Sequence, residues 1–217
     1  SINSSEIGIY KVAKCKEASD ESCTAYIEGT NVKKKASGEL IACLDSKLRD
    51  MDEYEIWLIF PAENKISRFF RPSSNSNTIL LTERCDQRCL MCSQPPRNLD
   101  YTHFELYFRA IQLIDQQCTI GISGGEPTLF KNSLLNFMKK CVKAKANVKF
   151  HVLTNAQHFE NADIELLSLL RTNIIWAVPI YSNEASCHNK IVGKEGAFDQ
   201  LMKGLSVLSK ASSLVEI

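Results

Sequence analysis

Hydrophobic and polar positions along the 217-residue chain follow two regimes. Up to about residue 70, short apolar runs such as EIGIY, LIACL and YEIWLIF alternate with polar turns, which predicts a small strand-containing module. The stretch RPSSNSNT, residues 71–78, is polar and reads as a linker. Beyond it the pattern becomes regular. TILLT (78–82) is a continuous apolar run, as expected of a strand covered on both faces. Phe104, Tyr107, Phe108, Ile111 and Ile114 recur at helical spacing, with Thr102 and Glu105 placed as a capping box. TIGIS (119–123) predicts a second strand, and Leu134, Leu135, Met138, Cys141 and Val142 a second helix. NVKFHVL (147–153) is the third strand, and Ile164, Leu167 and Leu170 mark the third helix. NIIWAVPI (173–180) is the fourth strand, with Pro179 near its end, where a missing backbone donor costs least. Phe198, Leu201, Met202, Leu205 and Leu208 mark the fourth helix, and SLVEI begins a fifth strand.

Strand and helix alternating in this way predict successive right-handed crossovers and a parallel α/β sheet. Periodicity leaves open whether that sheet curls toward a barrel or stays flat. The expected organisation is an N-terminal accessory module over residues 1–76 and a core domain over 77–217. Because the last segment starts a strand without a covering helix, the core is expected to be truncated, with further strands following.

Composition narrows the function classes. Hydrophobic residues at 44% and charged residues at 24% are ordinary for a globular protein. A formal net charge of +1 gives no field for nucleic acid or an anionic membrane. Lys33, Lys34 and Lys35 read as a solvated loop. No apolar stretch approaches the roughly 18 residues of a membrane span, and no export signal opens the chain. Nine cysteines are an odd number and three are tightly clustered, which points to metal ligation in a reducing cytoplasm rather than to disulfides. Cys118 and Cys141 occupy apolar positions of elements and read as core. Cys15, Cys23 and Cys43 are too dispersed for a compact metal clip, although they leave room for a second metal site.

Each strand of the regular half ends in something chemically unusual. After TILLT comes Cys85-Asp86-Gln87-Arg88-Cys89-Leu90-Met91-Cys92, a Cys-x3-Cys-x2-Cys triplet. After TIGIS comes Ser-Gly-Gly-Glu-Pro (123–127); the third strand ends at Thr154 and Asn155, the fourth at Tyr181 and Ser182. In parallel barrels and open parallel sheets alike, function gathers at these carboxyl ends. Iron–sulfur clusters are normally held by four cysteines, so three thiolates can hold three irons of a four-iron cluster and leave one open. Zinc is the competing reading. It needs four ligands, and His103, the nearest histidine after Cys92, lies in the first turn of a helix at a spacing unlike a finger or ribbon. Gly124 and Gly125 let a ligand lie against backbone, and Glu126 is an acceptor suited to an ammonium group. A tight turn before a helix accounts for the same residues.

Triplet and glycine motif together resemble the radical S-adenosylmethionine (radical SAM) enzymes, over about residues 77–217. The resemblance implies a partial parallel (β/α) barrel in which Cys85, Cys89 and Cys92 hold a [4Fe–4S] cluster. SAM would chelate the open iron through its amino and carboxyl groups, with Gly124, Gly125 and Glu126 at the amino group. Met91, where the superfamily often has an aromatic residue, would pack on the adenine ring, and Asn155 and Ser182 are implied as further cofactor-binding positions. One electron would split SAM into methionine and a 5′-deoxyadenosyl radical, which takes a hydrogen atom from the substrate. No catalytic side chain is identified beyond this cofactor chemistry.

Residues 187–205 also resemble the region after the fourth strand in radical SAM enzymes that modify peptides. His188 matches, Asn189 replaces an acid, and Gly193, Gly196 and Phe198 fit; a loop histidine holding local backbone accounts for His188 equally well. The run TERCDQRCLMCSQPPR is similar to the maturases of the His-Xaa-Ser peptide-modification system. That likeness implies a ribosomally made peptide substrate with His-Xaa-Ser repeats, a reductant protein and a second maturase as partners. Two alternatives remain at this stage: a radical SAM enzyme acting on RNA or activating another enzyme, and a metal-stabilised peptide-binding module without chemistry. Near-neutral charge weighs against RNA.

Overall fold

The structure, a computed structural model, describes residues 8–11, 54–60, 65–144 and 147–217. The Lys33–Lys35 run, the apolar run at 40–44 and the cysteines at 15, 23 and 43 lie outside the described residues. Those described fall into two compact units, one drawn from residues up to Asn77 with Arg109–Asp115, the other from Thr78–Phe108 and Gln116–Ile217.

In the first unit, β1 (Gly8–Lys11), β2 (Ile56–Phe60) and β3 (Lys65–Phe70) form an antiparallel sheet in the order β1-β2-β3. Its polar centre is Glu55, which is fully buried. The carboxylate accepts from Trp57 Nε1 at 3.0 Å and from Arg71 Nε at 2.8 Å, with Arg68 Nε at 3.3 Å. A buried carboxylate is tolerated because it is paired and hydrogen-bonded.

The second unit is built on β4 (Thr78–Thr82), β5 (Cys118–Gly124), β6 (Val148–Leu153), β7 (Ile174–Ala177) and β8 (Leu214–Glu216). All four neighbour pairs are parallel and the spatial order is β4-β5-β6-β7-β8, the order of the chain. A doubly wound sheet reverses its strand order at a switch point, whereas a barrel adds every strand on the same side. This sheet never reverses, so the choice that periodicity left open falls to the barrel. The crossovers carry α1 (Phe104–Gln112), α2 (Lys131–Ala144), α3 (Ile164–Leu170), α4 (Ala185–Val192) and α5 (Ala197–Lys210).

Burial alternates along the strands instead of running through them. Ile79, Leu81, Ile120, Ile122, Val148, Phe150, Val152, Ile174 and Trp176 are buried, while Thr119, Lys149 and Leu153 between them are exposed. The expectation that TILLT is covered on both faces is therefore corrected: Leu80 is half-buried, and one face of the sheet carries the packing. On that face Phe137 of α2 meets Phe104 of α1 and Phe150 of β6, at ring separations of 5.5 and 5.9 Å. Phe159 meets Trp176 edge-on at 4.9 Å. Aromatic pairs in such tilted geometries add to the area that they bury.

Details of the elements differ from the expectations in four places. Helix α1 starts one residue later than the Thr102 cap implies, because the His103 carbonyl accepts from the Tyr107 amide; Glu105 pairs with Lys140 of α2 at 2.6 Å instead. On α5, Met202 is exposed, and Gly204 and Val207 join Leu201 and Leu208 on the buried side. Strand β7 ends at Ala177, two residues ahead of Pro179. Helix α4 was not foreseen. Its sequence ASCHNKIV is rich in poor helix formers and has no apolar stripe. It is stopped by Gly193 in the left-handed region at φ 63°. Among the described residues no helix is long and apolar enough to cross a membrane.

Candidate functional site

Because β4 to β8 are parallel, their carboxyl ends share one edge, and a cavity of about 530 Å³ lies there. Cys85, Cys89 and Cys92 line it from the loop after β4. Ser123, Gly124, Gly125 and Glu126 line it from the end of β5, Leu153, Thr154 and Asn155 from the end of β6, and Ala177 to Pro179 with Tyr181 from the end of β7. Met91, Ser93, Gln94 and Pro96 complete the side formed by the cysteine loop. A volume of this size suits a cofactor-sized ligand.

The cysteine loop organises itself through sulfur. The Gln87 amide donates to Cys85 Sγ at 3.4 Å, Cys89 Sγ donates to Gln87 Oε1 at 3.5 Å, and Cys92 Sγ donates to the Gln94 carbonyl at 3.0 Å. Burial pushes the Cys85 thiol up to about 11, with the Gln87 amide pulling the other way. Cys89 is also raised, by burial and then by its neighbour Cys92. Such thiols become good ligands only when a metal cation stabilises the thiolates. Among the described residues no three His, Cys, Asp or Glu side chains converge as they would on a single metal ion. A four-iron cluster makes no such demand, since each of three thiolates binds a different iron. Three thiols lining one cavity are a donor set that suits such a cluster.

The glycine turn owes its composition to packing. Gly125 donates its amide to the Thr82 carbonyl and Glu126 to the Arg84 carbonyl, both at 2.7 Å, so the turn lies directly on the backbone leading to Cys85. A Cβ on Gly125 would stand 2.1 Å from the Arg84 carbonyl oxygen, closer than any side chain can approach. The Glu126 carboxylate is turned into the protein, with only 1% of the residue exposed. It accepts from the Thr128 amide at 2.8 Å, the Thr128 hydroxyl, the Thr154 hydroxyl at 2.6 Å and the Asn155 amide at 2.7 Å. Burial pushes this carboxyl above its ordinary range, against the pull of those donors. What the turn presents to the cavity is mainly backbone, while the side chain fastens the end of β5 to the end of β6.

Of the other expected positions, Met91 lines the cavity and is 54% exposed. Asn155 lines it too, but its side chain is engaged: Nδ2 donates to Asp86 at 2.9 Å and Oδ1 accepts from the Gln157 amide at 3.1 Å. Ser182 is not among the lining residues. Its hydroxyl accepts from the Glu184 amide at 3.0 Å just ahead of α4, and its neighbour Tyr181 faces the cavity in its place. Burial raises the Tyr181 phenol, with Cys89 and Cys92 adding to the effect. His188 sits on α4, 2% exposed, with its ring 5.9 Å from Tyr181 and 5.6 Å from Phe198. Its Nδ1 accepts from the Tyr181 amide at 3.4 Å, and burial lowers its basicity. Asn189 caps the next helix, its Oδ1 accepting from the Phe198 amide at 2.9 Å. The sequence pattern marks Tyr181 at the end of the fourth strand but puts the cofactor contact on Ser182, and it assigns no role to Asp86 or Lys194, whose partners appear only when distant loops come together.

No protein-family model matches the sequence, and no curated protein sequence matches it. Solved structures do. The chain resembles anSMEcpe with bound AdoMet and Cp18Cys peptide, at 16% identity and a TM-score of 0.50, over 64% of this chain and 41% of that one. The same protein with AdoMet and Kp18Cys peptide gives 17% identity, a TM-score of 0.51 and coverages of 64% and 42%. SuiB from Streptococcus suis gives 19%, 0.50, 64% and 31%. The chain therefore spans about two fifths of the first of these structures and less of SuiB. At such identities the likeness is one of fold alone: a partial parallel (β/α) barrel.

Proposed function

We propose that this chain carries the cluster- and SAM-binding part of a radical SAM enzyme that modifies a ribosomally made peptide. One observation carries the reading: Cys85, Cys89, Cys92 and the Gly124–Gly125–Glu126 turn, far apart in sequence, line a single cavity at the carboxyl edge of the parallel sheet. In this reading residues 77–217 are the core and residues 1–76 an accessory module. The three cysteines would hold a [4Fe–4S] cluster, which when bound supplies the electron that cleaves SAM.

The chain's own residues bind, orient and shield. The backbone of Gly124, Gly125 and Glu126 offers polar groups at the end of β5, where a methionine amine would lie. Met91 and Tyr181 offer a thioether and a ring against which an adenine can pack. The Glu126 carboxylate keeps its turn fixed relative to Thr154 and Asn155. The peptide substrate class draws support from the neighbour solved with a bound peptide. The finer reading, a maturase of the His-Xaa-Ser type, rests on the Met-Cys-Ser-Gln-Pro-Pro tail, whose Ser93, Gln94 and Pro96 form part of the cavity. The partners would be a His-Xaa-Ser precursor, a reductant protein and a second maturase, in the reducing cytoplasm that the thiols require.

Anaerobic reconstitution with iron and sulfide tests the cluster assignment. Wild type is expected to take up about four irons per chain and absorb near 400 nm, and Cys89→Ala to lose that absorbance. Retention of the full cluster by Cys89→Ala would remove the triplet from its role. Substrate class is tested by mass change on incubation with SAM, a reductant and His-Xaa-Ser peptides; modification of an RNA instead overturns the peptide reading.

A further inference from the structure

The corner between α4 and α5 accounts for none of the chemistry above, yet it is built onto the cysteine loop. The amides of Arg88 and Leu90 donate to the carbonyls of Val192 and Ile191, both at 2.9 Å, so the loop closes the carboxyl end of α4. Gly193 then turns away at φ 63° with its Cα so near the Arg88 backbone that a Cβ would meet the carbonyl oxygen at 2.8 Å. One residue on, Lys194 Nζ donates to Asp86 Oδ2, inside the cysteine loop, and to Gln157 Oε1 at 2.7 Å, after β6. Asp86 also accepts from Asn155, and Asn155 donates its amide to Glu126. His158 Nε2 stands 3.4 Å from the same carboxylate.

Lys194, Asp86, Asn155 and Glu126 thus form one continuous line of hydrogen bonds from the α4–α5 corner, through the cysteine loop, to the glycine turn. Asn189 steadies the corner from both sides, its carbonyl accepting from the Lys194 amide at 3.1 Å and its side chain capping α5. We propose that the α4–α5 corner is a latch for the cysteine loop, with Lys194 the positioning residue that acts through Asp86 to fix the three cysteines relative to the glycine turn. The inference deepens the proposed function and rests on it for the meaning of the loop; the latch itself is a property of the protein without cofactor. A charge-assisted contact between two part-buried groups is suited to such work, because it sets geometry as well as adding stability.

The test uses the apoprotein, so that its outcome is separate from cluster uptake. Alkylation of individual cysteines by iodoacetamide is followed by mass spectrometry, with buried Cys141 as the reporter of unfolding. Lys194→Met is expected to speed alkylation of Cys85 and Cys89 by about tenfold while Cys141 stays protected. Lys194→Arg, which keeps a cationic donor, is expected to return the rates toward wild type. Asp86→Ala combined with Lys194→Met is expected to add little to either change alone, as for two ends of one contact. Unchanged rates in Lys194→Met, or additive effects in the double variant, overturn the proposal. So does simultaneous exposure of Cys141 in both Lys194 variants, which would make the corner a general stability element. Iron uptake by wild type is scored separately: its failure with the alkylation pattern intact sinks the radical SAM reading and leaves the latch standing.

Discussion

Glu126 illustrates how a residue chosen for one role serves another. Its sequence context suggests an anion for a ligand's ammonium group, yet its oxygens are occupied by Thr128, Thr154 and Asn155. The expected consequence is structural. Glu126→Gln replaces an acceptor by an NH2 that faces existing donors, and should lower apoprotein stability by about 1–3 kcal/mol in urea titration. His188 gives a second residue-scale expectation. Burial holds its imidazole below the ordinary value of about 6.5, so the folded protein binds less proton there than the unfolded chain. Stability is then full above about pH 6.5 and is lost as pH falls below it. Melting curves between pH 7.5 and 5 should show that loss in wild type and a shallower one in His188→Gln. Identical pH dependence in the two proteins would contradict the assignment. The residue's motif was legible in sequence, but its partners were not, because Tyr181 and Phe198 reach it only through the turn of α4.

At the level of elements, the strands and the longer helices were readable because their periodicity reports burial directly. TILLT, TIGIS and NVKFHVL became β4, β5 and β6 with shifts of at most one residue at an end. Helix α4 was not readable, since a helix of polar residues held by its neighbours leaves no apolar stripe. The pair Gly124–Gly125 was readable as a motif and ambiguous as physics. Its closeness to the Arg84 carbonyl shows that at least Gly125 is required by the packing of two loops. Gly125→Ala should therefore destabilise the apoprotein by about 1–3 kcal/mol, as overpacking does, before any ligand is added. A variant with wild-type melting and impaired SAM binding would instead assign this glycine to the ligand alone.

Over the whole molecule, what decides between a flat sheet and a barrel is strand order, a property that no local window contains. The order β4-β5-β6-β7-β8 brings the ends of all five strands to one edge and makes a single cavity lined by residues between 85 and 217 of the chain. The cysteines were legible early because thiol spacing is a local signal, whereas Asp86 and Lys194, 108 residues apart, could be joined only by the fold. The account stands on the claim that the three cysteines hold a cluster with one iron left for SAM. Electron paramagnetic resonance of the anaerobically reconstituted, reduced protein tests this most directly. A reduced [4Fe–4S] signal that changes on addition of SAM, and does so neither with methionine-free adenosine nor in Cys89→Ala, is the expected result. A signal indifferent to SAM, or a protein that retains zinc and takes up no iron, would contradict it.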